Sequence, residues 1–209
     1  MKRFALVLGA AALLTPAVAL AENDGWDGGY GIKAERRSGF AAAVGLGVGF
    51  GMADGYPNAL SKQNNPLYES NIDAGVGSNW SLWAGGALRD WFIFGLGATG
   101  FGAAKDKLKA SGGAFILHIE AFPAWSLGGR FRDLSAFAEF GAGGMTIEGG
   151  PEKADAGLLS VLGFGVNYEL FRWGHIELGP TLSSNYMYSE SMSAFGVFAG
   201  VRSTFYGGP

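Results

Sequence analysis

Phe40-Ala41-Ala42-Ala43-Val44-Gly45-Leu46-Gly47-Val48-Gly49-Phe50-Gly51-Met52 carries a bulky or apolar residue at every even position except Ala42, and Ala or Gly at every odd one. A period of two belongs to a β-strand, whose successive side chains point to opposite faces. In a water-exposed antiparallel sheet the face opposite the apolar one is polar and solvated. Here it is glycine and alanine. Bulky residues outside and tiny ones inside suit a narrow closed barrel whose exterior meets hydrocarbon.

The same two-face pattern recurs. Trp80, Leu82, Ala84, Gly86 and Leu88 oppose Ser81, Trp83, Gly85, Ala87 and Arg89, and Phe92, Phe94, Leu96 and Ala98 oppose Ile93, Gly95, Gly97 and Thr99. Leu162, Phe164, Val166, Tyr168 and Leu170 oppose Gly163, Gly165, Asn167 and Glu169; Phe195, Val197, Ala199, Val201 and Phe205 oppose Gly196, Phe198, Gly200, Arg202 and Thr204. Strands are predicted near 39–52, 76–89, 91–104, 114–125, 134–147, 158–171, 175–188 and 192–206. Each is long enough for the ~9–11 residues of a tilted membrane strand.

Lys2 and Arg3, an apolar run from Phe4 to Leu14, and Ala19-Leu20-Ala21 have the layout of a secretory signal peptide over 1–21. Read as an uncleaved anchor, the run falls short of the ~20 residues a helical span needs. Residues 22–37 read as a periplasmic lead-in and 38–209 as the barrel. Glycine fills 37 of 209 positions, more than twice its usual ~7% share, yet aromatic residues at 14% argue against disorder. No cysteine is present, which excludes disulfides and thiolate metal sites. The formal net charge of −3 becomes more negative once Lys2 and Arg3 are removed, so nothing favours nucleic acid. Beyond the signal there is no apolar stretch of about 18 residues, and a closed β-barrel is the remaining way to cross a bilayer.

The predicted connections alternate, with long or intermediate ones at 53–75, 105–113 and 148–157 and tight ones at Arg89-Asp90 and Arg172-Trp173-Gly174; 126–133 is intermediate, and the short 189–191 breaks the trend. With about eight strands and unequal rims, the mature chain resembles the small OmpA/OmpX-like outer-membrane barrels. The resemblance is architectural, without a signature motif. It implies an all-β, closed antiparallel up-and-down transmembrane barrel of about eight strands in the outer membrane of a diderm (Gram-negative) bacterium, with both chain ends periplasmic. It also implies outer-membrane lipids, lipopolysaccharide and the barrel-assembly machinery as partners. Family barrels usually finish on an aromatic residue, whereas here Gly207-Gly208-Pro209 follows Tyr206.

Trp91, Trp125, Trp173, Phe205 and Tyr206 are expected to form an aromatic girdle at the periplasmic rim, with Trp80, Tyr186 and Tyr188 near the other. Arg36, Arg37, Arg89, Arg130, Arg132, Arg172 and Arg202 gather at the same predicted periplasmic rim, whereas Lys62, Lys105, Lys107, Lys109 and Lys153 fall in outer loops. An arginine fork there is expected to grip phosphate headgroups or periplasmic polyanions.

Two constellations could carry chemistry. Gly95-x-Gly97-x-x-Gly100, with Glu120 some 20 residues on, mimics a dinucleotide fingerprint, but its glycines already belong to the strand alternation. The other is a lumenal set, Arg89, His118, Glu120, Glu139, Glu169, Glu177 and Arg202, placed inward by parity. Buried charges must pair, so this set reads as a polar plug, structural rather than catalytic. The enzymatic reading makes His118 a base oriented by Glu120 or Glu139, as in lipid-modifying barrels, although no His-x-Ser pair accompanies it. A narrow pore or small apolar-ligand conduit is a third reading of the lumen, and a secreted lipocalin-like binder is the soluble counterpart of the whole fold. No catalytic residue, cofactor or metal is expected. The favoured role is structural or interaction-based, with loop 53–75 and its neighbours displayed outside the cell.

Overall fold

The computed structural model describes residues 36–208 except 128 and 156. The signal segment 1–21 and residues 22–35 of the expected lead-in lie outside the described residues. Ten strands form in chain order: β1 (Gly39–Gly55), β2 (Ser70–Arg89), β3 (Phe92–Lys105), β4 (Leu108–Ala121), β5 (Leu134–Glu148), β6 (Ala154–Asp155), β7 (Leu159–Tyr168), β8 (Phe171–Trp173), β9 (Ile176–Tyr188) and β10 (Met192–Tyr206). Eight of them, all but β6 and β8, pair antiparallel with their neighbours in a ring that β1 and β10 close from Ala41↔Tyr206 to Gly55↔Met192. The two short strands lie off the ring, β6 on β5 and β8 on β9. Closure leaves none of the eight ring strands as an open edge, as a barrel in lipid requires. The rim holding the start of β1 and the end of β10 is called terminal here, the other distal.

Parity decides which side chains face out. Leu46, Phe94, Phe164 and Val197 are 61, 41, 49 and 39% exposed. A protein interior would bury them; they stand on the outside wall. The outward positions of β1 from Phe40 to Met52, β2 from Val76 to Leu88, β3 from Phe92 to Ala104, β5 from Leu134 to Gly144 and β10 from Ser193 to Phe205 include no Asp, Glu, Lys or Arg. Charges begin at the margins, with Asp54, Lys105 and Glu148 on the distal side. A belt of that composition is the surface a barrel turns to acyl chains.

The inward glycines make room for a few large rings. A Cβ at Gly77 would stand 2.9 Å from the Phe198 ring, and one at Gly95 3.0 Å from Trp83. Added at Gly163 it would come 3.2 Å from Glu139. So the glycine walls do not widen the lumen; aromatic and charged groups from neighbouring strands occupy the space. In the distal half Ile72, Phe101, Met145, Ile147, Met187 and Phe198 belong to one buried apolar cluster.

Loop lengths depart from the expected alternation. The predicted connection 105–113 is a two-residue turn, Asp106-Lys107, because β3 and β4 continue pairing to Lys105↔Leu108. Asp106 takes φ 55° there, a conformation Asp tolerates better than most residues. At the terminal rim, 122–133 contains two short 3-10 turns, Trp125–Leu127 and Gly129–Asp133. The distal loops fold onto one another: Lys62 Nζ donates to Glu152 Oε2 at 2.5 Å, and Tyr56 N to Ser191 O at 2.9 Å.

Candidate functional site

Of the seven residues expected in the lumen, His118, Glu120, Glu139, Glu169, Glu177 and Arg202 are buried. Arg89 is not among them; it is exposed. The correction has a local cause. β2 pairs Ala87 with Ile93 but Arg89 with Phe92, so Leu88 is an extra residue and the side chains beyond it change face.

The buried residues form two assemblies. Midway along the barrel, His118 Nδ1 lies 3.0 Å from Glu139 Oε1, and its Nε2 lies 3.2 Å from Glu120 Oε2. Arg202 Nη2 donates to Glu120 Oε1 at 2.5 Å. The imidazole stacks on Trp83, 4.5 Å between ring centroids and 13° from parallel. His118 and Glu139 are paired in register on β4 and β5, and Arg202 arrives from β10, 82 residues beyond Glu120. Trp83, His118, Glu139, Asn185 and Arg202 line a cavity of about 20 Å³.

The second assembly closes the terminal rim around Arg37, which is fully buried. Its Nε donates to Glu169 Oε2 at 2.8 Å and its Nη2 to Asp133 Oδ1 at 2.9 Å; Nη1 reaches Asp90 Oδ1 at 3.4 Å. The guanidinium carbon stands 3.6 Å from the Phe122 ring centroid. Burial by itself would lower the Arg37 pKa, but the attraction of Glu169 outweighs it and holds the pKa above its ordinary value. Arg132 donates to Asp90 Oδ2 at 2.5 Å, Arg36 pairs with Asp133 at 2.9 Å, and Arg172 with Glu177 at 3.2 Å. The Tyr206 hydroxyl donates to Glu169 Oε1 at 2.5 Å.

This network revises two expectations. Arg36, Arg37, Arg132, Arg172 and Arg202 pair with the protein's own carboxylates, which take up charge that the expected fork assigned to outside phosphates. And Tyr206 does not belong to the outward girdle, being buried with its hydroxyl on Glu169. Trp91, Trp173 and Phe205 are exposed, while Trp125 is half-buried against the inner cluster of Ala41, Trp83, Ile93 and Phe122. Sequence reasoning passes over Arg37 and Tyr206 as lumenal groups. Strand parity is the available signal: the odd inward face of β1 leads back to Arg37, and the even inward face of β10 ends at Tyr206. Gly95, Gly97 and Gly100 lie within β3, which continues to Lys105, so no helix follows to receive a phosphate.

No metal-holding group of His and carboxylates occurs among the described residues. Neither a protein-family model nor a curated protein matches this chain. Solved structures to which it is similar include Neisserial surface protein A, at 14% identity over 78% of this chain and 94% of that one, TM-score 0.44. Others are Ail, the attachment invasion locus protein of Yersinia pestis (9% identity, 78% and 99% covered, TM-score 0.42), and the N-terminal β-barrel domain of Pseudomonas aeruginosa OprF (12%, 81% and 100%, 0.42). The likeness is one of fold. The architecture expected from the OmpA/OmpX-like resemblance, a closed eight-stranded antiparallel barrel, rests on the strand pairing itself.

Proposed function

We propose that this protein is an integral outer-membrane barrel of a diderm bacterium, exported by its signal peptide, whose role is structural or interaction-based. The observation that carries the membrane reading is the uninterrupted uncharged belt around the exterior, set over an interior already filled. Outer-membrane lipid and lipopolysaccharide then surround the belt, and insertion falls to the barrel-assembly machinery.

For the role, support comes from the distal loops. Residues 56–69 are tied to 149–158 by the Lys62–Glu152 pair and by Asn58 N donating to Asp155 Oδ1 at 3.3 Å, yet Leu60, Leu67 and Leu158 stand exposed on these segments. Apolar side chains displayed on braced polar loops are the composition of a contact surface. A non-catalytic reading accords with His118: each ring nitrogen faces a carboxylate oxygen, leaving neither to take a proton from a nucleophile. A filled lumen likewise weighs against the pore reading.

The test has two parts. Resistance to carbonate extraction together with a heat-dependent electrophoretic shift is expected; release without detergent would overturn the membrane reading. A cysteine at position 60 should react with an impermeant maleimide on intact cells, and protection until the cells are lysed would reverse the orientation.

A further inference from the structure

The cavity beside His118 has a lining that does not satisfy itself. Among its side chains, Trp83 Nε1, Asn185 Nδ2, and Arg202 Nε and Nη1 are buried N–H groups with no acceptor among the described residues. Buried polar groups rarely stay so, because an unpaired one gives up its hydration and recovers no hydrogen bond. The same cavity is lined by Asn79 and Glu139, whose side chains carry acceptor oxygens.

We propose that this cavity is a binding site for a water molecule, held as a fixed part of the lumen between the apolar cluster of the distal half and the ionic terminal rim. Three properties select water. Size is the first: about 20 Å³ admits one molecule, which on that measure needs roughly 10–15 Å³. Hydrogen-bond character is the second, since donors and acceptors both face the space and water offers both functions. Charge is the third. The ionisable groups here are Arg202 and His118 against Glu120 and Glu139, so their sum is not positive in either state of the imidazole. An anion would enter a site without surplus positive charge, next to a carboxylate, at a desolvation cost nothing offsets.

The water ties the Arg202–Glu120–His118–Glu139 chain to the polar wall of β9, where Asn185 and Ser183 stand, and Ser183 Oγ in turn accepts from Asn79 Nδ2 at 3.0 Å. The site depends on the lumen alone and not on what the loops bind, so its failure would leave the proposed function untouched.

The full barrel in detergent micelles, with ¹⁵N-labelled tryptophan, allows a direct measurement. A magnetisation-transfer cross-peak from a long-lived water to the Trp83 indole proton, assigned by its loss in Trp83→Phe, is expected in the wild type. Asn185→Leu fills the cavity and should abolish that cross-peak while the heat-dependent electrophoretic shift persists; Ser81→Val, filling from the other wall, is the second variant and should weaken it. Absence of the cross-peak in the wild type, its persistence at full strength in a folded filling variant, or a bromide ion located in the cavity of soaked crystals would each overturn the proposal.

Discussion

Arg37 gathers the terminal rim: through it the segment before β1 meets the β2–β3 turn at Asp90, the 122–133 connection at Asp133, and the β7–β8 junction at Glu169. Through Glu169 it also reaches Tyr206 at the end of β10, fastening the seam where the barrel closes. Removing one partner of a buried ion network leaves the others uncompensated, at about 3–5 kcal/mol. Arg37→Met is therefore expected to lower the urea-unfolding stability of the vesicle-reconstituted barrel by about that amount. Arg37→Lys should recover only part of it, because one ammonium cannot span three carboxylates as a planar fork does. At Gly97 the logic is steric. A Cβ there would lie 2.6 Å from Trp83 Cβ, and Gly97→Val should cost roughly 1–3 kcal/mol through overpacking, read in the same unfolding experiment.

Among the elements, β2 shows how one inserted residue reassigns side chains. From Gly75 to Ala87 its odd positions face inward; past Leu88 the rule fails and Arg89 is outside. Deleting Leu88, which is exposed, should remove the bulge while Arg89 stays outside opposite Phe92 and Asp90 stays inside, so the folded electrophoretic mobility should persist. Loss of the folded fraction would mean that the bulge itself is needed to close this turn. The lipid-facing surface of β1 offers a graded test. Leu46, in the middle of the strand, should tolerate arginine poorly, with Leu46→Arg costing about 2–4 kcal/mol, whereas Asp54→Arg at the distal margin should cost no more than about 1 kcal/mol. Equal effects at both positions would mean that no apolar slab surrounds the barrel.

Along the barrel the lumen holds three layers: the distal apolar cluster, the cavity beside His118 and Trp83, and the ionic terminal rim. Two of these are seals of different kinds, one dry and one electrostatic. Planar-bilayer recordings of the wild type are expected to be silent. Phe101→Ala with Phe198→Ala should remain silent, because the Arg37 rim still closes the other end. Conductance should appear only when Arg37→Ala is added; channel activity in the wild type would contradict the filled-lumen account.

The eight strands, their faces, and the inward placement of His118, Glu120, Glu139 and Arg202 were legible in the sequence because a period of two is a local property repeated by every residue of a strand. Strand ends were less so: the pairing that carries β3 and β4 to a two-residue turn at Asp106-Lys107 depends on cross-strand register, which neither strand encodes alone. What only the tertiary structure decided lies across the barrel. Arg37 finds Glu169 at a separation of 132 residues, and the inward turn of Tyr206 acquires its meaning from that same carboxylate. One-residue events such as the Leu88 bulge are also invisible to periodicity, since they break it. Local repetition specified which side of each strand meets lipid; ring closure, which places distant residues a few ångströms apart, specified how the buried charges are matched.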